Sequence, residues 1–162
     1  MNKESEKRCL VALLHHLHSY EIIEEIEKPD FIIRNIKDGR IIGVEVTQYY
    51  PHQDQKNRSI VKKEGSISDE GKLLLFAKTE LGYSRFVPLI DINDFQAKVI
   101  QQKEGKLERL YRIHHPECSE FWLLVELSFY DNIQYDELEV QTKFDRLFFL
   151  EEPNRITEIR KT

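Results

Sequence analysis

The stretch PDFIIRNIKDGRIIGVEVTQ, residues 29–48, decides how the rest of the chain is read. Two runs rich in β-branched residues flank Asp38-Gly39. An Asp-Gly step between such runs is a strong hairpin signal, because a type I′ turn needs positive φ at both central residues. With that two-residue turn, Lys37 faces Arg40, Ile33 faces Val44, Ile32 faces Glu45 and Asp30 faces Thr47. Opposed residues share a sheet face. The count therefore puts Asp30, Glu45 and Thr47 on one side, and Phe31, Ile33, Ile42, Val44 and Val46 on the other, core side. Asp30 and Glu45 become diagonal neighbours, about 7–8 Å apart and able to converge at their tips.

Carboxylates in largely buried strands are costly to desolvate unless their charge is compensated. The compensation is either a partner side chain or a cation. A hard divalent ion is one resolution, since Mg²⁺ often takes only one or two carboxylates together with water and phosphate. The plainer alternative stands beside it: Asp after Pro is a common turn residue, and a strand glutamate often faces water.

Outside the hairpin, the chain reads as one domain spanning residues 1–162, long enough to bury a sizeable core. Its longest apolar runs, LLLFA and FWLLVEL, fall far short of a membrane span. The charged opening MNKESEKRC leads into a mixed helix, so no secretory signal is expected. Cys9 and Cys118 are too few for a disulfide framework, so a reducing cytoplasm is the expected compartment. The formal charge of −5 excludes a generally basic nucleic-acid coat but not a local basic groove.

The spacing of Leu10, Leu13, Leu14 and Leu17 predicts a helix over about 3–18. An extended piece follows at about 20–26. Residues 51–67 are polar and loop-like, Ser68-Asp69-Glu70 opens a short helix through Glu80, and SRFVPLIDI is extended. A long helix runs from Asp94 to about Arg112, EFWLLVELSFY is a strand too apolar for an exposed edge, a helix covers about 135–144, and RLFFLEE is a last strand. This is an α/β order, with helices on both sides of a mixed sheet.

Pro29-Asp30 followed by Glu45-Val46-Thr47 in an apolar strand resembles the motif of the PD-(D/E)XK nuclease superfamily. The order of elements over 3–50 and 94–130 resembles that family's restriction-endonuclease-like core, αβββαβ, here with an inserted helical or loop segment at about 51–93. The resemblance implies a Mg²⁺- or Mn²⁺-dependent endonuclease that hydrolyses phosphodiester bonds, with DNA ahead of RNA as substrate. Asp30 and Glu45 would be metal ligands. Members of the family often pair up to cut two strands, so a homodimer is among the expected arrangements.

The sequence departs from the pattern at Thr47, which stands where the family usually has lysine. A hydroxyl supplies no positive charge, so either the site is silent or a cation comes from elsewhere. In the long helix the apolar stripe Phe95, Val99, Ile100, Leu107, Leu110 and Tyr111 is interrupted by Lys103, three and four residues after Ile100 and Val99 and four before Leu107. That spacing aims Lys103 at the sheet, and family variants with a relocated lysine resemble it. Lys106 is the reserve. Snorkelling along the helix surface to water is the alternative reading of Lys103.

Glu6 extends the first helix's stripe and matches the position from which many family members supply a third carboxylate; acidic residues are also favoured in any first helical turn. Gln48 faces the other side of the strand and is a peripheral candidate. Lys56, Arg58, Lys62 and Lys63 form a basic loop suited to phosphate contacts. Tyr49 and Tyr50 could stack on bases or cover a core edge. Glu126 and Asp131 read as structural, and the histidines complete no tetrahedral zinc set. The rival reading of the chain is a catalytically inactive domain of the same fold that acts as a binding or regulatory module.

Overall fold

The computed structural model describes residues 1–49, 75–86, 90–127, 133, 135, 138–152 and 155–162. Helix α1, Lys3–Leu17, starts where the Asn2 side chain accepts the Ser5 amide at 2.9 Å. Its expected stripe is real: Cys9, Leu10 and Leu13 are buried, with Leu14 and Leu17 packed beside them. Strands β1 (Tyr20–Glu25), β2 (Phe31–Asn35) and β3 (Ile41–Gln48) follow as an antiparallel meander. A separate two-stranded hairpin, β4 (Leu75–Thr79) and β5 (Gly82–Phe86), ends in a fully exposed Leu81.

Helix α2 then runs from Ile92 to His114. Its α-helical segments Ile92–Phe95, Gln101–Lys106 and Arg112–His114 are separated by π-helical Gln96–Ile100 and Leu107–Tyr111. It starts two residues before the expected Asp94, because Asp91 caps it by accepting the Asn93 and Asp94 amides. The chain closes through β6 (Glu120–Glu126), β7 (Glu139–Val140), β8 (Arg146–Glu152), β9 (Arg155–Glu158) and β10 (Arg160–Lys161).

The main sheet has six strands in the order β1-β2-β3-β6-β8-β9, with β3, β6 and β8 mutually parallel and the rest antiparallel. It separates two cores. On one face α1 covers Phe31, Ile33, Ile42, Val44, Val46, Trp122, Leu124 and Phe148. On the other, α2 supplies Phe95, Val99, Ile100, Leu107 and Tyr111 against Phe121, Leu123, Val125, Leu147 and Phe149. Strand β6 is buried on both faces, which is why its sequence shows no polar alternation. Among the described residues, no helix is long and apolar enough to cross a membrane.

Three expectations are corrected. The loop between β2 and β3 is not a two-residue turn. The Asn35 amide donates to the Arg40 carbonyl at 2.9 Å and the Gly39 amide to Asn35 O at 2.8 Å, leaving Ile36 to Gly39 as a four-residue loop. The Asn35 side chain fixes its start by accepting the Lys37 amide, and Gly39, at φ 78°, supplies its one left-handed residue. The register is therefore Phe31 with Val44 and Ile33 with Ile42, two residues away from the count above. Second, the helix expected to run through Glu80 is strand β4 over 75–79, so residues 75–86 of the 51–93 insertion form a β-hairpin. Third, the helix expected near 135–144 gives way to β7, paired with β10.

Candidate functional site

A two-residue slip in register leaves side-chain parity unchanged. The core face of the hairpin is accordingly the expected one, and Glu45 points the other way, toward α2. Carried one step beyond Phe31–Val44, the register sets Asp30 directly opposite Glu45 rather than diagonal to it, about 4.5–5.5 Å away by strand geometry. On the Glu45 face Gly43 comes two residues earlier. A Cβ there would stand 2.6 Å from Cδ1 of Phe121 and 3.0 Å from Cγ of Pro29. The missing side chain lets the Phe121 ring lie against β3, and Tyr111 of α2 stacks on that ring at 6.2 Å and 28°. Gly43, Phe121 and Tyr111 thus wall one side of the Glu45 carboxylate with apolar surface.

Lys103 comes from the α-helical segment between the two π turns. Its Nζ lies 2.6 Å from Oε1 of Glu45, with side chains 19% and 5% exposed. The interruption in the α2 stripe is therefore an inward-facing ammonium and not a snorkel. The second oxygen, Oε2, is buried with no hydrogen-bond partner among the described residues. The Tyr111 phenol lies against this carboxylate: burial first, and then Glu45, push its pKa well above the ordinary phenol value. Tyr111 consequently stays protonated beside Glu45.

Asp30 is buried at the entry to β2. Its Oδ2 accepts the Val46 amide at 2.8 Å, which ties it to β3 one residue beyond Glu45. Burial, and then repulsion from Glu45, push the Asp30 pKa from 3.8 up to about 7, with Glu6 adding to the rise and the Val46 amide and Lys3 opposing it. From α1, Lys3 Nζ reaches Asp30 Oδ1 at 3.6 Å and Glu6 Oε2 at 3.2 Å. It also donates to the Ile26 and Asp30 carbonyls at 2.6 and 3.1 Å. Three carboxylates, Glu6, Asp30 and Glu45, thus meet two ammoniums, Lys3 and Lys103.

These donors suit a hard cation: all are oxygens, one buried oxygen is orphaned, and two carboxylates strain against each other. Among the described residues no three His, Cys, Asp or Glu side chains already converge as a ligand set. A cation here would take Asp30 and Glu45 and complete its shell with water and substrate oxygens.

The other predicted residues scatter. Thr47 pairs along β3 with Val125 and adds no charge. Gln48 turns to the α1 side, where its amide donates to buried Glu126 at 3.1 Å; the Cys9 thiol also bonds that carboxylate, and burial pushes its pKa up to about 12. Lys106 is half-buried and pairs with no carboxylate among the described residues. Tyr49 is core, edge-on to Phe95 at 5.2 Å with its hydroxyl on Asp94, and so offers no ring to a base. Tyr50, Lys56, Arg58, Lys62, Lys63 and Asp131 lie outside the described residues.

Two site residues were missed. Lys3 continues the spacing Glu6, Leu10, Leu13 by one more turn, which was the available signal. Tyr111 was legible only as a core residue. Comparison with protein-family models, with curated proteins and with solved structures finds no match.

Proposed function

We propose that the chain is a divalent-metal-dependent nuclease that hydrolyses phosphodiester bonds, with Asp30 and Glu45 as the metal-binding carboxylates and Lys103 as the catalytic cation. One observation carries the reading: the Lys103 ammonium, delivered by α2, sits 2.6 Å from Glu45 in place of the lysine that Thr47 does not supply. The run α1, β1–β2–β3 meander, α2 and then β6 parallel to β3 also corresponds to the αβββαβ core of the restriction-endonuclease-like fold, which supports the same reading.

Bound at Asp30 and Glu45, Mg²⁺ or Mn²⁺ would supply Lewis-acid polarisation of the phosphate and lower the pKa of a water. The protein's own groups do the rest. Glu45 is held between Lys103 and the protonated Tyr111, which fixes the direction of its free oxygen. Asp30 is fixed by the Val46 amide. Lys103, still partly open to solvent, can turn its charge to the phosphate oxygens and orient the attacking water, a preorganised stabilisation of the negative charge that grows in the transition state.

The test is cleavage of end-labelled DNA and RNA in Mn²⁺ or Mg²⁺ against EDTA. Cleavage should need the metal, vanish in Glu45→Ala and fall by about 10²-fold or more in Lys103→Met. Activity indifferent to Glu45→Ala belongs to a contaminant and ends the proposal. The rival reading, a catalytically silent binding or regulatory domain, draws on the closed Lys103–Glu45 pair and on Thr47. It wins if calorimetry finds no Mn²⁺ uptake that depends on Asp30 and Glu45.

A further inference from the structure

The contacts of Lys3 are unusual for a lysine in a first helical turn. Its Nζ faces four oxygens, Ile26 O at 2.6 Å, Asp30 O at 3.1 Å, Glu6 Oε2 at 3.2 Å and Asp30 Oδ1 at 3.6 Å, and lies 4.7 Å from the centroid of the Phe31 ring. An ammonium has three protons to donate and no acceptor, so this cradle satisfies it fully. Two carboxylate and two carbonyl oxygens are also the donor chemistry of a hard metal ion. The side chain is nevertheless 36% exposed, and its four-carbon stem can swing the charge away to water.

Asp30 is shared between two neighbours. Its Oδ2 is pinned by Val46, its Oδ1 faces Lys3, and Glu45 stands on its other flank. A divalent ion that takes Asp30 and Glu45 must therefore enter within a few ångströms of the Lys3 charge. Like charges that close oppose each other strongly inside a protein. We propose that Lys3 is a tethered counter-ion that competes with the divalent cation for the Asp30 and Glu6 oxygens, so that metal binds only as Lys3 is displaced. The inference rests on the metal-binding reading of Asp30 and Glu45. Lys3 is a positioning residue in this scheme: it holds the carboxylates together in the metal-free protein and sets how much cation is needed to load them.

Isothermal titration of Mn²⁺ into the full chain at fixed ionic strength tests it. Lys3→Met removes the charge and keeps the stem, and it should bind Mn²⁺ at least about fivefold more tightly than the unmodified chain. Lys3→Arg, which keeps the charge, should stay near the unmodified affinity. A merely structural role predicts the opposite sign, because loosening the carboxylates weakens binding. Lys3→Gln, which keeps a donor for the Ile26 carbonyl, takes over the comparison if circular dichroism shows Lys3→Met unfolded. Equal or weaker Mn²⁺ binding in the charge-removed variant, with clear uptake by the unmodified chain, overturns the role of Lys3 alone. Absence of uptake in every variant overturns it together with the metal site on which it rests.

Discussion

At the scale of single residues, the Glu45–Lys103 pair decides most. Glu45 is almost wholly buried, so its charge is held by Lys103 and by the Tyr111 phenol beside it. Removing one partner of a buried pair leaves an uncompensated charge, which costs more than the pair itself contributes. Lys103→Met should accordingly lower stability by about 3–5 kcal/mol in EDTA, and adding Glu45→Gln in the same chain should recover most of that loss. A chemical-denaturation double-mutant cycle reads the coupling; additive losses would mean that the two groups do not depend on each other. Saturating Mn²⁺ should narrow the gap between Lys103→Met and the unmodified chain, because a bound cation can replace the missing ammonium. Lys103 was legible in the sequence because a charge inside an apolar stripe has a defined direction. Lys3 was not, because lysine and glutamate in a first turn read equally well as solvated groups.

At the scale of elements, periodicity carried the long pieces and turn chemistry failed on the short ones. Helix α1, helix α2 and strand β6 were legible because each buries a continuous stripe or a wholly apolar run. The hairpin was legible as a hairpin, but Asp38-Gly39 did not form its two-residue turn, because Asn35 captures the Lys37 amide and opens a longer loop. The candidate site survived this error only because the slip is even. The strands at 75–79 and 139–140 were misread as helices: both are short, and local pattern alone separates short apolar segments poorly. Two glycines of the hairpin, Gly39 in its loop and Gly43 in β3, give a direct contrast. Gly39→Ala places a side chain at φ 78° with nothing within 4 Å, so it should cost about 1 kcal/mol. Gly43→Ala drives a methyl into the Phe121 ring and Pro29, an overpacking that should cost about 2–3 kcal/mol and disturb the Tyr111 wall beside Glu45. Urea midpoints at constant slope check the order; a larger loss at Gly39 would mean that β3 and Phe121 can part freely.

At the scale of the whole molecule, an acidic chain of formal charge −5 buries Asp30 beside Glu45, and this group makes stability depend on pH in a direction opposite to the common one. The pKa of Asp30 rises from 3.8 unfolded to about 7 folded, through burial first and Glu45 second. Between those values the folded chain holds a proton that the unfolded chain has released. Stability from this group is therefore full below about pH 4, falls as pH climbs toward 7 and is flat above, by up to roughly 4 kcal/mol in total. Ordinary carboxylates with lowered pKa values act in the reverse sense, so the Asp30 contribution is isolated by comparing the chain with Asp30→Asn. Melting temperatures in EDTA, taken from about pH 5 to about pH 8, should fall more steeply for the unmodified chain than for Asp30→Asn. Parallel curves would mean that Asp30 titrates as a solvated carboxyl and that Glu45 does not press on it. Mn²⁺ supplies the second half of the argument. A cation needs both carboxylates ionised, so it should raise the melting temperature at about pH 8 and much less at about pH 5. The same ion should leave Asp30→Asn nearly unmoved at either pH, because the strain it relieves is the repulsion between Asp30 and Glu45.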